Sequence, residues 1–298
     1  MSVPLPADLT LARRDLGRIC LNVASAGPQD GPVVVLLHGF PETWWSWRHQ
    51  LFPLVAAGFR VLAPDLRGSG HSDRHGPFDL ATQAADIAAL IATLPGGKAR
   101  VVGHDWGGTT AWWLARHHPE RVERVVCVNA CLPERLMDAL IARPNATQIL
   151  KSWYFYLFLF PGLVDRLLVL GHAKALTLLM RSAAVDTTHF SDAELLPFCD
   201  AAVLPGAARA MLGSYRDNAA LTLKDVLAGR PPGGPRLPIH VPATLLWGNA
   251  DPALDFDALC VGMDALVPAL AVQRFDGVGH FAHEERPDLL NPAILAAL

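Results

Sequence analysis

Residues 101–110 read VVGHDWGGTT. Two valines lead into Gly103, then come His104, Asp105, Trp106 and the pair Gly107–Gly108. Small residues two positions before and after a polar one are what a sharp strand-to-helix turn requires, because a Cβ there would strike the tightly folded backbone. Such a turn lifts its central side chain clear of a sheet and aims the next N–H groups at one point. Taken alone, an aspartate that opens a helix is more simply an N-cap. The surroundings must decide what Asp105 does.

Outward from this turn the chain alternates. Near-continuous apolar runs occur at VVVLLHG (33–39), RVLAPD (60–65), ARVVGHD (99–105) and RVVCVN (124–129). Such runs suit parallel strands buried on both faces. Helical stretches separate them at 44–57, 79–94 and 107–118, so the pattern predicts βαβ units around a parallel sheet. Residues 9–25 are expected to add an antiparallel hairpin at the sheet edge. After Asn129 the rhythm breaks, and 131–228 carries helical patterns without a strand. The Pro/Gly-rich stretch GRPPGGPRLP (229–238) reads as a linker. Strands resume at HVPATLLWG (240–248) and VQRFDG (272–277), and the chain closes on a helix. A helical insert at the carboxyl edge of an open α/β sheet sits where such sheets bind ligands.

Composition narrows the classes further. The chain of 298 residues is 51% apolar, enough for a sizeable core, and its 25 basic and 28 acidic residues give a net charge of −3. No clustered basic face marks a nucleic-acid or acidic-lipid footprint. The five cysteines (Cys20, Cys127, Cys131, Cys199, Cys260) are scattered and contain no C-x-x-C pair, which supports neither zinc nor a disulfide framework. The N-terminus has no signal-peptide pattern. The longest apolar run, Trp153 to Phe160, is too short for a bilayer, which takes roughly 20 residues. The expectation is a soluble cytoplasmic protein without metal or cofactor; the composition is also compatible with a homodimer.

Three features change the reading of Asp105. HGFP (38–41) follows the first central strand, so the backbone N–H of Phe40 can join that of Trp106 in an anion hole. VGHFAH places His280 in a loop after the last strand, with His283 as a competitor that lacks the preceding glycine and is expected to face solvent. WGNADP places Asp251 just past the strand 240–248, with Asp255 and Asp257 as alternative acids. The order 105, 251, 280 is the nucleophile–acid–histidine order of a hydrolase triad.

The sequence resembles the α/β-hydrolase superfamily and, within it, the epoxide hydrolases. HGFPETWWSWR (38–48), DLRGSGHSD (65–73), GHDWGG (103–108) and Gly279–His280 carry the likeness, which runs from about residue 30 to 290. The resemblance implies an α/β-hydrolase fold: a mostly parallel eight-stranded sheet flanked by helices, with a helical cap inserted after the sixth strand. The core is then 1–130 and 236–298, and the cap 131–235. GHDWGG is shared with haloalkane dehalogenases, so it marks an aspartate nucleophile without fixing the substrate.

A carboxylate is ionised near neutral pH without help and suits displacement at a saturated carbon, giving an alkyl ester. His280, oriented by Asp251, is then expected to activate the water that hydrolyses the ester. In epoxide hydrolases two cap tyrosines point at the epoxide oxygen. Tyr154, ahead of Pro161–Gly162, and Tyr215, just before Arg216, match them, whereas Tyr156 is expected to pack. Fluoroacetate dehalogenases place arginines just after the nucleophile, where this chain has Trp106 and Gly108. Trp44, Trp153 and Phe281 are candidate pocket walls; His104 and the turn Arg67–Ser72 read as structural. The expected substrate is a small lipophilic epoxide, opened to a vicinal diol with water. The alternatives are a haloalkane or haloacid dehalogenase and, in another class, a non-catalytic binder of apolar ligands.

Overall fold

A computed structural model of the chain describes residues 5–232 and 236–298. Part of the expected linker, and the expected end of the cap at residue 235, lie outside the described residues. Eight strands form one sheet: β1 Thr10–Asp15, β2 Cys20–Ala26, β3 Val33–Leu37, β4 Arg60–Pro64, β5 Ala99–His104, β6 Val122–Val128, β7 Ala243–Gly248 and β8 Leu270–Phe275. Their order is β1-β2-β4-β3-β5-β6-β7-β8. β1 and β2 form the expected edge hairpin, and β2 pairs antiparallel with β4. Every other pairing is parallel.

The continuous apolar runs follow from burial on both faces. Successive side chains of a strand point to opposite sides. Val101, Val125 and Leu245 therefore enter one core while Val102, Val126 and Leu246 enter the other. On the first face lie α2 (Leu80–Ala92) and α3 (Asp105–His117), through Ile87, Leu90 and Leu114. On the second lie α1 (Arg48–Ala56) and the C-terminal helix, through Leu51, Leu54, Leu290 and Ile294. Each fully buried leucine of this kind contributes about 1.5–3 kcal/mol. Local signals fix the ends: the Asp79 carboxylate accepts from Thr82 N at 3.0 Å and caps α2. In the turn after β4, Arg67 holds Asp86 through two hydrogen bonds of 2.7 and 2.8 Å, a structural clamp.

Between β6 and β7 the chain is helical: α4 Pro133–Met137, α5 Ala146–Lys151, α6 Trp153–Phe158, α7 Leu163–Ala183, α8 Asp192–Ala202, α9 Ala207–Met211 and α10 Gly213–Leu227. After β7 come α11 Phe256–Leu259, α12 Ala282–Glu285 and α13 Pro287–Ala297. The inserted helices seat on the carboxyl edge through a third core in which Phe40 and Trp106 from the sheet turns meet Phe155, Phe158 and Tyr215. α7 is broken at Leu170–Ala173, where Gly171, His172 and Ala173 are left-handed. No single helix among the described residues is long and apolar enough to cross a membrane.

Candidate active site

The turns after β3, β5, β6, β7 and β8 meet at one point. Asp105 opens α3 with φ 48°, a region that L residues avoid and that costs about 1–3 kcal/mol. The flanking glycines make room for it. A Cβ on Gly107 would lie 2.3 Å from the Leu37 and His38 carbonyl oxygens, and one on Gly103 would lie 2.5 Å from Gly107 O. Across the turn, a Cβ on Gly39 would meet Asp105 Cβ at 2.5 Å.

The Asp105 carboxylate is held asymmetrically. Phe40 N–H donates to Oδ1 at 2.9 Å, while Oδ2 lies 3.7 Å from His280 Nε2. On the far side of the ring, His280 Nδ1 is 2.8 Å from Asp251 Oδ2. Asp251 Oδ1 accepts from Ala253 N at 2.7 Å and Leu254 N at 2.9 Å, and Oδ2 also accepts from Asn129 Nδ2 at 2.8 Å. Burial alone would raise the Asp251 pKa; the His280 imidazole and these donors hold it below the usual carboxylate range instead. Burial would lower His280, but the carboxylates of Asp251 and Asp105 raise it to about 9. The His280 ring therefore faces the Asp105 carboxylate with its proton affinity raised.

These groups open onto a cavity of about 500 Å³. Asp105, His280, Tyr154, Tyr215, Trp153 and Phe281 are all in its wall, and the rest of the lining is mainly leucine, valine and phenylalanine from α6 and α7. Tyr215 is buried edge-on against Phe40, Phe158 and Trp106, with ring centroids 5.0–5.2 Å apart. Burial raises the pKa of both Tyr154 and Tyr215, and the nearby Asp105 charge adds to it, so both hydroxyls keep their protons. Tyr156 instead donates to Leu140 O at 2.7 Å and packs.

The family model of the alpha/beta hydrolase fold matches residues 32–287. The chain belongs to the α/β-hydrolase fold family. This α/β hydrolase is similar to the AB hydrolase superfamily protein YfhM of Bacillus subtilis, at 36% identity over 94% of each chain. It is 31% identical to epoxide hydrolase 3 of Xenopus tropicalis, over 93% of this chain and 74% of that one. Among solved structures it resembles an inhibitor complex of Bacillus megaterium epoxide hydrolase: TM-score 0.85, 25% identity, 96% of this chain and 99% of that one.

Two expectations about this α/β hydrolase need correction. Trp44 is not in the cavity wall; it packs edge-on to Trp45 beside the core behind the sheet, because its short helix turns that face inward. His283 does not face solvent. It is fully buried between Trp47 and His104, with ring centroids 4.4 and 4.5 Å away, because the one-turn helix α12 folds back under the site. Asp255, the alternative acid, caps α11 and pairs with Lys151 at 3.3 Å.

Sequence reasoning missed two residues. Asn129 sits at φ 43°, and beyond its bond to Asp251 it accepts from Gly248 N at 3.0 Å. Glu42 is fully buried, accepts from Gly39 N at 2.5 Å and lies 3.1 Å from His104 Nδ1. Burial raises its carboxyl to about 8, so it is neutral near pH 7. His104, lowered to about 4 by burial, lies with Nε2 3.0 Å from the His280 carbonyl oxygen and so braces that loop. A polar residue ending an apolar strand run was the one available signal for Asn129.

Proposed function

We propose that this α/β hydrolase opens an epoxide to a vicinal diol through a covalent ester on Asp105. The single observation that carries the reading is that two tyrosines, Tyr154 and Tyr215, line the same apolar cavity as Asp105 and His280. An epoxide leaves as an alkoxide, which needs a proton donor; a halide does not. Further support comes from relatives that are named epoxide hydrolases. The division into a core (1–130 and 236–298) and a cap (131–235) over the site is part of the same proposal.

Asp105 Oδ2 attacks an epoxide carbon, the C–O bond breaks, and the alkoxide takes a proton from Tyr154 or Tyr215. The Asp105 charge is now consumed in the ester, so one of the carboxylates that hold the proton on His280 is gone. His280 yields that proton, the tyrosine is restored, and the neutral imidazole accepts a proton from water. The hydroxide adds to the Asp105 carbonyl carbon while the Phe40 and Trp106 N–H groups receive the oxyanion. Collapse expels the diol oxygen, which takes the proton of the Asp105 carboxylic acid. Substrate plus water gives diol, and the resting state returns. Asp251, fixed by its three donors Ala253 N, Leu254 N and Asn129 Nδ2, orients the ring throughout.

The test is to react the His280→Ala variant with a lipophilic epoxide and weigh the peptide that contains Asp105. The expected result is a stable adduct of the full substrate mass. Diol formation at the wild-type rate by Asp105→Ala would falsify the mechanism. Wild-type turnover of haloalkanes but not epoxides would favour the dehalogenase reading, and no adduct from either would leave a binder of apolar ligands.

A further inference from the structure

Besides Asp251, His280 is held from two sides through its backbone. Its carbonyl oxygen lies 3.0 Å from Nε2 of His104, at the end of β5. Its N–H instead donates to Ala183 O at 2.9 Å, and Ala183 is the last residue of α7. The final carbonyls of a helix have no partner within it, so the histidine loop caps α7 while α7 holds the loop. Phe281, the next residue, is fully buried with Met180 of α7 and with Phe190, Leu195 and Phe198 at α8. The histidine backbone therefore joins the sheet to the inserted helices.

One side chain closes this junction. Glu285 ends α12 and is 1% exposed. Its Oε1 and Oε2 each accept from Gly279 N at 3.1 Å, and Oε2 also accepts from Val185 N at 3.1 Å. Gly279 immediately precedes His280, and Val185 lies just past the end of α7. The fit is close: a Cβ on Gly279 would lie 2.5 Å from Ala183 O and 2.7 Å from Glu285 Oε2. Burial raises the Glu285 carboxyl, and the amides of Gly279, Asp186 and Val185 oppose that rise. Packing alone is a poor reason for this acid, since it stands at the negative end of a helix and beside Asp186. Its directed bonds do what an apolar side chain cannot, fixing two backbone segments against each other. One of those segments carries the cavity wall: Leu178, Leu179, Ser182 and Ala183 of α7 line the cavity together with His280.

We propose that Glu285 is a positioning residue that locks the His280 loop to the α7 wall of the cavity. Asp251 sets the rotation of the ring, and Glu285 sets how far the ring stands from Asp105. That distance is thereby tied to the seating of α7. The proposal rests on the reading of His280 as the group that activates water. Attack by Asp105 needs no base, whereas ester hydrolysis does, so loosening the lock acts on the second step.

The test compares Glu285→Ala with Glu285→Gln, which keeps one acceptor oxygen and nearly the same volume. In single-turnover reactions with a lipophilic epoxide, Glu285→Ala should slow hydrolysis of the Asp105 ester about tenfold or more, with ester formation changed by less than about twofold. Glu285→Gln should recover part of the difference. Val185→Pro removes only the donor on the α7 side; Ala184 is extended at φ −101° and ψ 148°, the conformation that precedes a proline. It should slow hydrolysis about threefold or more, and it carries the test if Glu285→Ala does not fold. In each variant the NMR signals of the His280 ring should shift, and the His280 amide should exchange with solvent about tenfold faster. A Glu285→Ala chain with wild-type ring signals and wild-type ester hydrolysis overturns the proposal. Equal slowing of both steps with a lowered melting temperature also overturns it, leaving Glu285 a purely structural acid. The ring signals and amide exchange are read without substrate. Should no ester form on the wild-type chain, they alone decide, and unchanged values in Glu285→Ala overturn the lock.

Discussion

Asp105 Oδ2 and His280 Nε2 face each other across 3.7 Å, close enough for charge to couple them and too far for a direct hydrogen bond. The pair therefore stores its interaction as electrostatics rather than as a closed contact.

The carboxylates beside the His280 ring, Asp251 foremost and then Asp105, set a pH dependence. The folded protein holds His280 at about 9 against an ordinary value of 6.5, so folding favours the protonated ring. Its contribution to stability is full below pH 6.5 and is lost as pH rises through about 9, each tenfold gain in proton affinity being worth about 1.4 kcal/mol. Urea denaturation from pH 6 to 10 should show stability falling across that window. Asp251→Asn removes the nearest carboxylate and should flatten the fall, and NMR titration of the ring should move its midpoint down.

The two cavity tyrosines give a kinetic prediction. Tyr154→Phe with Tyr215→Phe keeps both rings and their packing but removes both proton donors. On the proposed route the rate of adduct formation with an epoxide should drop by about 10²–10⁴. The melting temperature should hold, since the edge-on ring contacts persist. Reaction with a haloalkane, whose leaving group needs no proton, should be little changed; stopped-flow single-turnover measurements compare the two.

Asn129 joins stability to turnover. Replacing it with alanine strips a donor from Asp251 and an acceptor from Gly248 N–H, at a cost of about 1–3 kcal/mol. Its left-handed backbone adds about 1–2 kcal/mol for a residue with a Cβ and no compensating side-chain bond. Asn129→Gly loses the same bonds without that backbone penalty, so it should be the more stable of the two variants in urea melts. In both, ester hydrolysis should slow more than ester formation, and the Asp105 adduct should accumulate in rapid-quench samples.

The parts of this molecule that were legible in the sequence are those encoded locally. A strand buried on both faces has to read as an apolar run, and a tight turn has to carry Gly103 and Gly107. The hairpin, the sheet and the placement of Asp105 were readable for those reasons. Asn129 and Glu42 act through space, on partners 122 and 62 residues away, and neither sits in a local pattern that announces it. His283 is polar and follows a loop, which reads as surface until α12 is seen to fold beneath the site. The break in α7 was equally hidden, because leucines continue on both sides of Gly171 and a left-handed turn leaves no mark on hydrophobic spacing.

The two oxygens of Asp105 are not interchangeable, since Phe40 N–H pins one and the other points at the open side. On the proposed route the free oxygen is the one that leaves with the product. Each turnover therefore exchanges an atom of the protein for an atom of water. In a single turnover run in isotopically heavy water, the label belongs in the enzyme, and the first diol released is unlabelled. Later diols carry it, because the oxygen that bonds to carbon is always one the previous cycle left behind.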